Sequence, residues 1–338
     1  MIINKKDDNF PIDFIITWVD GNDPEWLKEK NKYESASLHN DDGEVRYRDW
    51  DNLKYWFRAI EKFAPWVHKI YFVTWGHIPA WLDVSNPRLQ IVKHQDFIPG
   101  KYLPTFNSNT IELNLHRIEG LSEHFVYFND DVFLNSNVER KDFFINGLPR
   151  DIMALDCIAF GKNSAGLFNA NDVGIINDHF DVCECFHLNF NKWMNFGYGM
   201  KLMLQTWFLL HKCWFTGFYY QHVTASYLKS TFEKVWDEEP DVLDETCRCR
   251  FRSTQNVNHW LMKYWQLASG NFYPQKKKFG QYFEIGNHDE RLKEALLKGK
   301  RKVICINDTI KVRDFTREKD VINEIFEKKL PEKSFFER

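Results

Sequence analysis

The sequence contains no run of 18 apolar residues, which excludes a helix long enough to span a bilayer. Its opening stretch, "MIINKKDDNF", lacks the apolar core of a signal peptide. The expectation is therefore a soluble, cytoplasmic chain. No charge of one sign prevails either. Against 48 Asp and Glu stand 45 Lys and Arg, a formal net charge of −3, which offers no field for nucleic acid. Internal repeats and low-complexity tracts are missing, which excludes a solenoid. Among seven cysteines there is no C-x-x-C spacing. The pairs Cys183/Cys185 and Cys247/Cys249 have the donors for a four-thiolate zinc site, but no zinc-ribbon pattern flanks them, and reduced thiols are the default reading.

What is present is an ordinary globular balance, 43% hydrophobic and 28% charged over 338 residues. That length suits one large α/β domain or a core domain with a smaller insertion. Aromatic residues are abundant: 30 Phe, 13 Trp and 13 Tyr. They suit sugar-stacking surfaces, although a large core accounts for most of them. Two basic clusters, "KKK" at 276–278 and "KGKRK" at 298–302, could touch an anionic membrane surface, and a solvated face is the simpler reading.

Four apolar segments read as strands: "IDFIITWV" (12–19), "KIYFVTW" (69–75), "LQIVKH" (89–94) and "HFVYFND" (124–130). Between the first two, Leu53, Trp56, Phe57, Ile60 and Phe63 fall at helical spacing before Pro65. Between the last two, Ile111, Leu115 and Ile118 share a helical face, with Gly120 as C-cap. Alternation of this kind predicts a mostly parallel sheet flanked by helices, whose ligands lie beyond the carboxyl ends of the strands. Residues 140–230 lose the pattern and read as a helical, irregular insertion walling the pocket. Beyond it, "STQNVNHWLMKYWQLASG" predicts a helix capped by Ser253 and ended by Gly270, and 317–330 a helical tail.

Polar clusters follow two of the strands. "NDD" sets Asp130 and Asp131 after Asn129, and paired carboxylates at a strand end suit a divalent cation, most simply Mg²⁺ or Mn²⁺. A helix cap or Asx turn would use the same residues. "TWVDGNDP" offers Trp18 for stacking and Asp20 for a ribose or base hydrogen bond, beside Gly21. Ser108 and Asn109 open the helix that carries Arg117, where backbone amides meet a phosphate or simply cap. Arg248, Arg250 and Arg252 alternate in "RCRFRS" and would share one face if extended. His222 stands beside aromatics in "YYQHVT".

Taken together these segments resemble the Stealth family of sugar 1-phosphate transferases. The resemblance lies in "IDFIITWVDGNDPEW", in "RYRDWDNLKYWFRAIEKFAPWVHKIYFVTWG" continuing through "LPTFNSNTIELNLHRIEGLSEHFVYFNDDVFL", in "QHVTASYLKSTFEKVWDEE" with "FRSTQNVNHWLMKYW", and in "ICINDTIKV". It implies a single catalytic domain of GT-A-like, Rossmann-like build, with a nucleotide-sugar half at 1–135, an insertion at 136–230 and returning catalytic segments at 231–338. It further implies transfer of a hexose 1-phosphate from a UDP-sugar to a polysaccharide or oligosaccharide hydroxyl, with release of UMP, in capsule synthesis. Relatives often carry a second histidine where this chain has "QHVTAS", so only His222 carries over.

The roles implied are Asp130 and Asp131 on the metal with Asn129 in support, and Arg252 and Arg117 on phosphate. His222 would act as base or phosphate donor, with Asp20 as the competing base. Trp18, Asp20, Gly21, Ser108 and Asn109 would line the nucleotide side. Peripheral attachment at a membrane assembly and a homo-oligomer stay open. A glycosyltransferase using the same donor is the nearest alternative. A carbohydrate-binding module is a remote one, since it leaves the arginines unexplained.

Overall fold

In β1 (Ile12–Thr17), Ile12, Phe14 and Ile16 pack on one side and Ile15 on the other, so the strand is apolar on both faces and must lie inside a sheet. The computed structural model describes residues 9–34, 48–161, 166–286, 290–309 and 312–338. After β1 come α1 (Pro24–Glu34), α2 (Leu53–Phe63), β2 (Ile70–Thr74), β3 (Leu89–Lys93), a short α3 (His94–Phe97), α4 (Ser108–Leu113), β4 (His124–Phe128) and β5 (Val132–Leu134). A hairpin, β6 (Phe144–Ile145) with β7 (Leu148–Asp151), leads into α5 (Gly166–His179), α6 (Val182–Leu188), α7 (Phe190–Trp193) and α8 (Met200–Leu210). The chain returns through β8 (Ala225–Leu228), α9 (Lys229–Glu238), α10 (Pro240–Arg248), α11 (Trp260–Ala268), β9 (Tyr273–Pro274), β10 (Gly280–Glu284), α12 (Glu290–Lys298), β11 (Val303–Asn307) and α13 (Phe315–Lys329).

The central sheet has the order β3-β2-β1-β4-β8, with the first four strands parallel and β8 antiparallel, as a mostly parallel α/β fold requires. A smaller sheet, β10-β11-β5, stands beside it. One large core lies on each side of the central sheet. Ile12, Phe14 and Ile16 face α2 and α13, and Ile15 and Tyr127 face the α11 side. A third, small cluster of Trp26, Phe106 and Phe251 joins α1 to two loops.

Three local expectations are corrected. The helix after Ser108 ends at Leu113, not near Gly120, because Asn114 turns its side chain back to donate to the Thr110 carbonyl at 2.8 Å; a short 3₁₀ turn, Leu115–Arg117, follows. Ser253 caps no helix: α11 begins at Trp260, whose amide is taken by Asn258 Oδ1 at 2.8 Å. Arg248, Arg250 and Arg252 do not share an extended face, since Arg248 is the last residue of α10 and pairs with Asp244 one turn back, at 2.5 Å. β8, the antiparallel edge strand of the central sheet, lies wholly within residues 136–230.

Candidate active site at the carboxyl ends of the central strands

β1 and β4 are neighbours in parallel register, Ile16 level with Phe128, so "TWVDGNDP" and "NDD" leave the same edge of the sheet side by side. Asn129–Val132 form a tight turn closed by Val132 N–H donating to Asn129 O at 3.1 Å, with Asp130 and Asp131 at its two central positions. The turn feeds β5, and β11 holds it there: Ile306 N–H donates to Asp131 O at 2.8 Å.

Two further groups arrive by strand register. β8 runs antiparallel to β4 with Tyr127 opposite Ala225, and continuing that register brings His222 level with Asp130. On the other side β11 runs antiparallel to β5 with Val132 opposite Cys305. His222 Nε2 lies 3.5 Å from Asp131 Oδ2, and Cys305 Sγ donates to the same oxygen at 3.2 Å. Among the described residues this trio is the one group of three His, Cys, Asp or Glu side chains placed to share a metal ion. Tyr220 hydrogen-bonds His222 Nδ1, and the Trp260 and Tyr282 rings stand 6.3 and 6.1 Å from the imidazole.

The charges follow from this crowding. Burial and the Asp131 charge push the Asp130 carboxyl up to about 7, with the exposed surface of Asp130 letting water oppose that push. Burial also opposes charge on Asp131, yet His222 and then Cys305 overcome it and hold Asp131 below the usual carboxylate range. His222 is raised in turn: burial disfavours the imidazolium, and the Asp131 carboxylate outweighs it. Asp131 Oδ1 is buried and accepts no hydrogen bond. A lone pair orphaned beside a second, repelled carboxylate fits a cation bound by Asp130 and Asp131.

Behind the trio lies a buried polar chain. Thr17 Oγ1 meets Tyr127 OH at 2.9 Å, and Tyr127 OH donates to Glu112 Oε1 at 3.2 Å. Glu112 Oε2 is 3.9 Å from His259 Nε2, and His259 Nδ1 meets Tyr227 OH at 2.6 Å. Burial pushes Glu112 up to about 8 and His259 far down, so both are neutral near pH 7. Glu112 is one helical turn from Ser108 on α4, hence on the same face. Ser108 Oγ accepts from Arg252 Nε at 3.1 Å. Arg252 is thus tied to the start of the helix whose next turn carries Glu112. Asn107 fixes this meeting of loops, its Nδ2 donating to Cys249 O at 3.1 Å and Asn256 Oδ1 at 2.9 Å.

The remaining sequence-derived residues divide. Asp20 and Trp18 sit at the rim, both near His77: Asp20 N–H donates to His77 Nε2 at 2.7 Å, and the Trp18 ring meets the imidazole edge-on at 5.2 Å. Gly21 is buried in the turn that Asp20 Oδ1 closes by accepting from Asn22 N–H at 2.9 Å. Asn109 is buried with Nδ2 unpartnered. Arg117 is not brought to the cluster. It is exposed on the segment leading back to the start of β4, bonded to Asn114 Oδ1 at 3.0 Å and stacked on Trp236 at 4.8 Å. Arg250 covers the Tyr33 ring at 4.7 Å. Cys305, Glu112 and Tyr220 escape sequence reasoning; the one local signal was Cys305 inside "ICIND", a buried strand ending in polar residues. All seven cysteines are free, and Cys183, Cys185, Cys247 and Cys249 form no metal cluster among the described residues.

Known proteins resemble this chain along nearly its whole length. The model of Stealth conserved region 1 matches residues 10–38, and that of conserved region 2 matches 46–151, which between them carry Asp20, Ser108 and the acid pair. A capsular polysaccharide phosphotransferase WcwK of Streptococcus pneumoniae is 45% identical over 97% of this chain and 98% of its own. The receptor polysaccharide phosphotransferase WefC of Streptococcus gordonii is 42% identical over 96% and 98%. Among solved structures, the galactosyltransferase LgtC in complex with donor and acceptor sugar analogues covers 94% of the chain and 95% of its own at a TM-score of 0.40 and 11% identity. Full-length identity at this level, together with the matches to both conserved regions, shows that the protein belongs to the Stealth family of polysaccharide phosphotransferases.

Proposed function

We propose that the protein transfers a hexose 1-phosphate from a UDP-sugar to a sugar hydroxyl of a growing surface polysaccharide, with a divalent ion at the acid pair. The acceptor oxygen bonds to the phosphorus attached to the donor sugar, the bond from that phosphorus to the nucleoside monophosphate breaks, and UMP leaves. What supports this reading above all is the meeting of Asp131 and His222 at 3.5 Å beside an orphaned Asp131 oxygen.

Phosphoryl transfer depends on positioning and on charge that is already in place. Asp130 and Asp131, with Asn129 in the same turn, would hold Mg²⁺ or Mn²⁺, and that ion would neutralise the diphosphate. His222, whose protonated form the Asp131 carboxylate favours, donates to an oxygen of the transferring phosphoryl group. Arg252 offers a guanidinium oriented by Ser108 for a second oxygen. Asp20 receives the proton of the attacking hydroxyl, and Trp18, Gly21 and Asn109 line the nucleotide side.

The test is product analysis with a panel of UDP-sugars and a defined acceptor. A phosphotransferase releases UMP and leaves a phosphodiester visible by phosphorus NMR. Release of UDP with a plain glycosidic linkage would instead establish the glycosyltransferase alternative. Mg²⁺ or Mn²⁺ should raise the thermal midpoint of the native protein and leave that of Asp131→Asn unchanged, and Asp131→Ala should lower kcat by about 10²-fold or more. An Asp131→Ala enzyme of native turnover would end the proposal.

A further inference from the structure

The exposed apolar surface of this protein is concentrated in one place. Half of the large hydrophobic side chains left exposed among the described residues fall between Leu188 and Trp214. α8 explains why. Its inner face carries buried Leu202 and Thr206, and Thr206 Oγ1 accepts from Leu155 N–H at 3.0 Å while Gln205 Nε2 donates to Leu155 O at 3.0 Å. Its outer face carries Met200, Leu204, Trp207 and Phe208, all exposed, at the i, i+4, i+7, i+8 spacing of a single stripe. A helix packed on a water-soluble protein normally turns polar residues outward; α8 turns apolar ones. Just before it, Phe196 is 82% exposed. Phe190 extends the patch through Phe186, whose ring stands 5.4 Å from Phe190 and 6.2 Å from Trp207.

Along the stretch that builds this face the charge is basic, with acids only at its margins: Asp156 Oδ1 accepts from Gln205 Nε2 at 2.9 Å, and Glu184 is exposed at the α6 end. No Asp or Glu occurs between Glu184 and Glu233. Lys201, His211 and Lys212 are exposed along the helix and at its end. The "KKK" cluster is folded against the same edge: Lys277 N–H donates to Gly197 O at 3.0 Å, which sets exposed Lys276 and Lys278 beside Phe196. An apolar stripe rimmed by cations complements a surface that is apolar within and anionic outside. A second copy of this chain, meeting face to face, would set lysines against lysines.

We propose that α8 and the turn at Phe196–Gly197 form a docking surface for an anionic lipid bilayer. The helix lies in the interfacial plane, with Phe196, Trp207 and Phe208 at the boundary of headgroups and acyl chains and Lys201, Lys276 and Lys278 against lipid phosphates. From exposed Trp214 the chain turns inward through buried Phe215 and Phe218 to His222, so the docked face and the candidate site share one stretch of chain. The docking stands independently of the phosphotransfer reading.

The experiment is co-sedimentation of the full chain with vesicles of phosphatidylcholine alone and of phosphatidylglycerol mixed with phosphatidylcholine. Binding is expected to the phosphatidylglycerol vesicles, with a blue shift of tryptophan emission and a decline as salt is raised. The double variant Phe196→Ser/Phe208→Ser should lower the partition coefficient about tenfold or more, since two apolar anchors are lost. Lys276→Glu/Lys278→Glu should lower it by a similar factor at low salt. Both variants alter exposed side chains and should keep the native thermal midpoint. Failure to bind either vesicle overturns the proposal, as does binding that neither variant weakens. Dimerisation abolished by Phe196→Ser/Phe208→Ser, without vesicle binding, would assign the face to a second copy instead.

Discussion

At the scale of single residues, the site is a set of mutual constraints around one carboxylate. Asp131 Oδ2 takes both the His222 imidazole and the Cys305 thiol, and Oδ1 is left for an incoming group. Cys305 is the least expected member, and its role is checkable. Its thiol donates to Asp131 and helps to hold that carboxylate ionised. Burial and the Asp131 charge push the thiol itself well up, so it keeps its proton and acts as a donor, not as a nucleophile. Cys305→Ala removes a hydrogen bond to a charged group and should lower kcat/KM about tenfold. Cys305→Ser keeps a donor and should stay within about threefold of the native value. Steady-state kinetics on the two variants decides: equal effects would reduce Cys305 to a packing residue.

At the scale of elements, α4 and the loops against it set the spacing between His222 and Arg252. The loop before α4 meets the loop after α10 through Asn107, which is buried and donates to Cys249 O and Asn256 Oδ1. Asn107→Ala removes the donor from Cys249 O and the acceptor from Asn109 N–H, while Asn256 Oδ1 keeps Ser253 N–H at 2.9 Å, so a stability loss of about 2 kcal/mol is expected. Because Arg252 would lose its seat on Ser108, donor KM should rise as well. Unchanged KM alongside the stability loss would show that the loops seat Arg252 without Asn107. Glu112, further along α4, gives a pH signature. Burial pushes its carboxyl up to about 8 in the folded protein, against 4.5 for the free group. Between those values the folded chain holds a proton that the unfolded chain has released. The stability this contributes is complete below pH 4.5 and is lost as pH rises through 8, on the order of 5 kcal/mol in all. Glu112→Gln is neutral throughout and should remove that slope, melting above the native protein at pH 8.5. Melting curves that shift with pH in parallel for both proteins would exclude the assignment.

At the scale of the whole molecule, what was legible in the sequence and what was not follow one physical division. β1, β2, β3 and β4 are short apolar runs ended by turn residues, and such signals lie within a few residues of each other. The acid pair is legible for the same reason. Cys305 beside Asp131 was not, since that contact depends on β11 pairing antiparallel with β5, across a separation no local pattern records. The arginines mislead because alternation predicts a shared face only in extended chain, and α10 runs on to Arg248. The C-terminus is a further long-range contact of this kind, and it clasps the fold. Arg58 on α2, its side chain 6% exposed, donates to Glu337 Oε1 at 2.8 Å and Oε2 at 2.9 Å, and to Leu330 O at 2.8 Å. Beyond it, Phe336 is fully buried and Asp83 N–H donates to its carbonyl at 2.8 Å, so the last residues pin the loop between β2 and β3. Glu337→Ala would leave a buried guanidinium short of its main carboxylate, a change expected to cost about 3–5 kcal/mol. The double variant Arg58→Met/Glu337→Leu removes both charges and should recover most of that loss, because the penalty lies in the unpaired ion more than in the missing bond. Denaturant unfolding of the three proteins measures it directly. If Glu337→Ala unfolds within about 0.5 kcal/mol of the native chain, the C-terminal clasp contributes nothing to the stability of the fold.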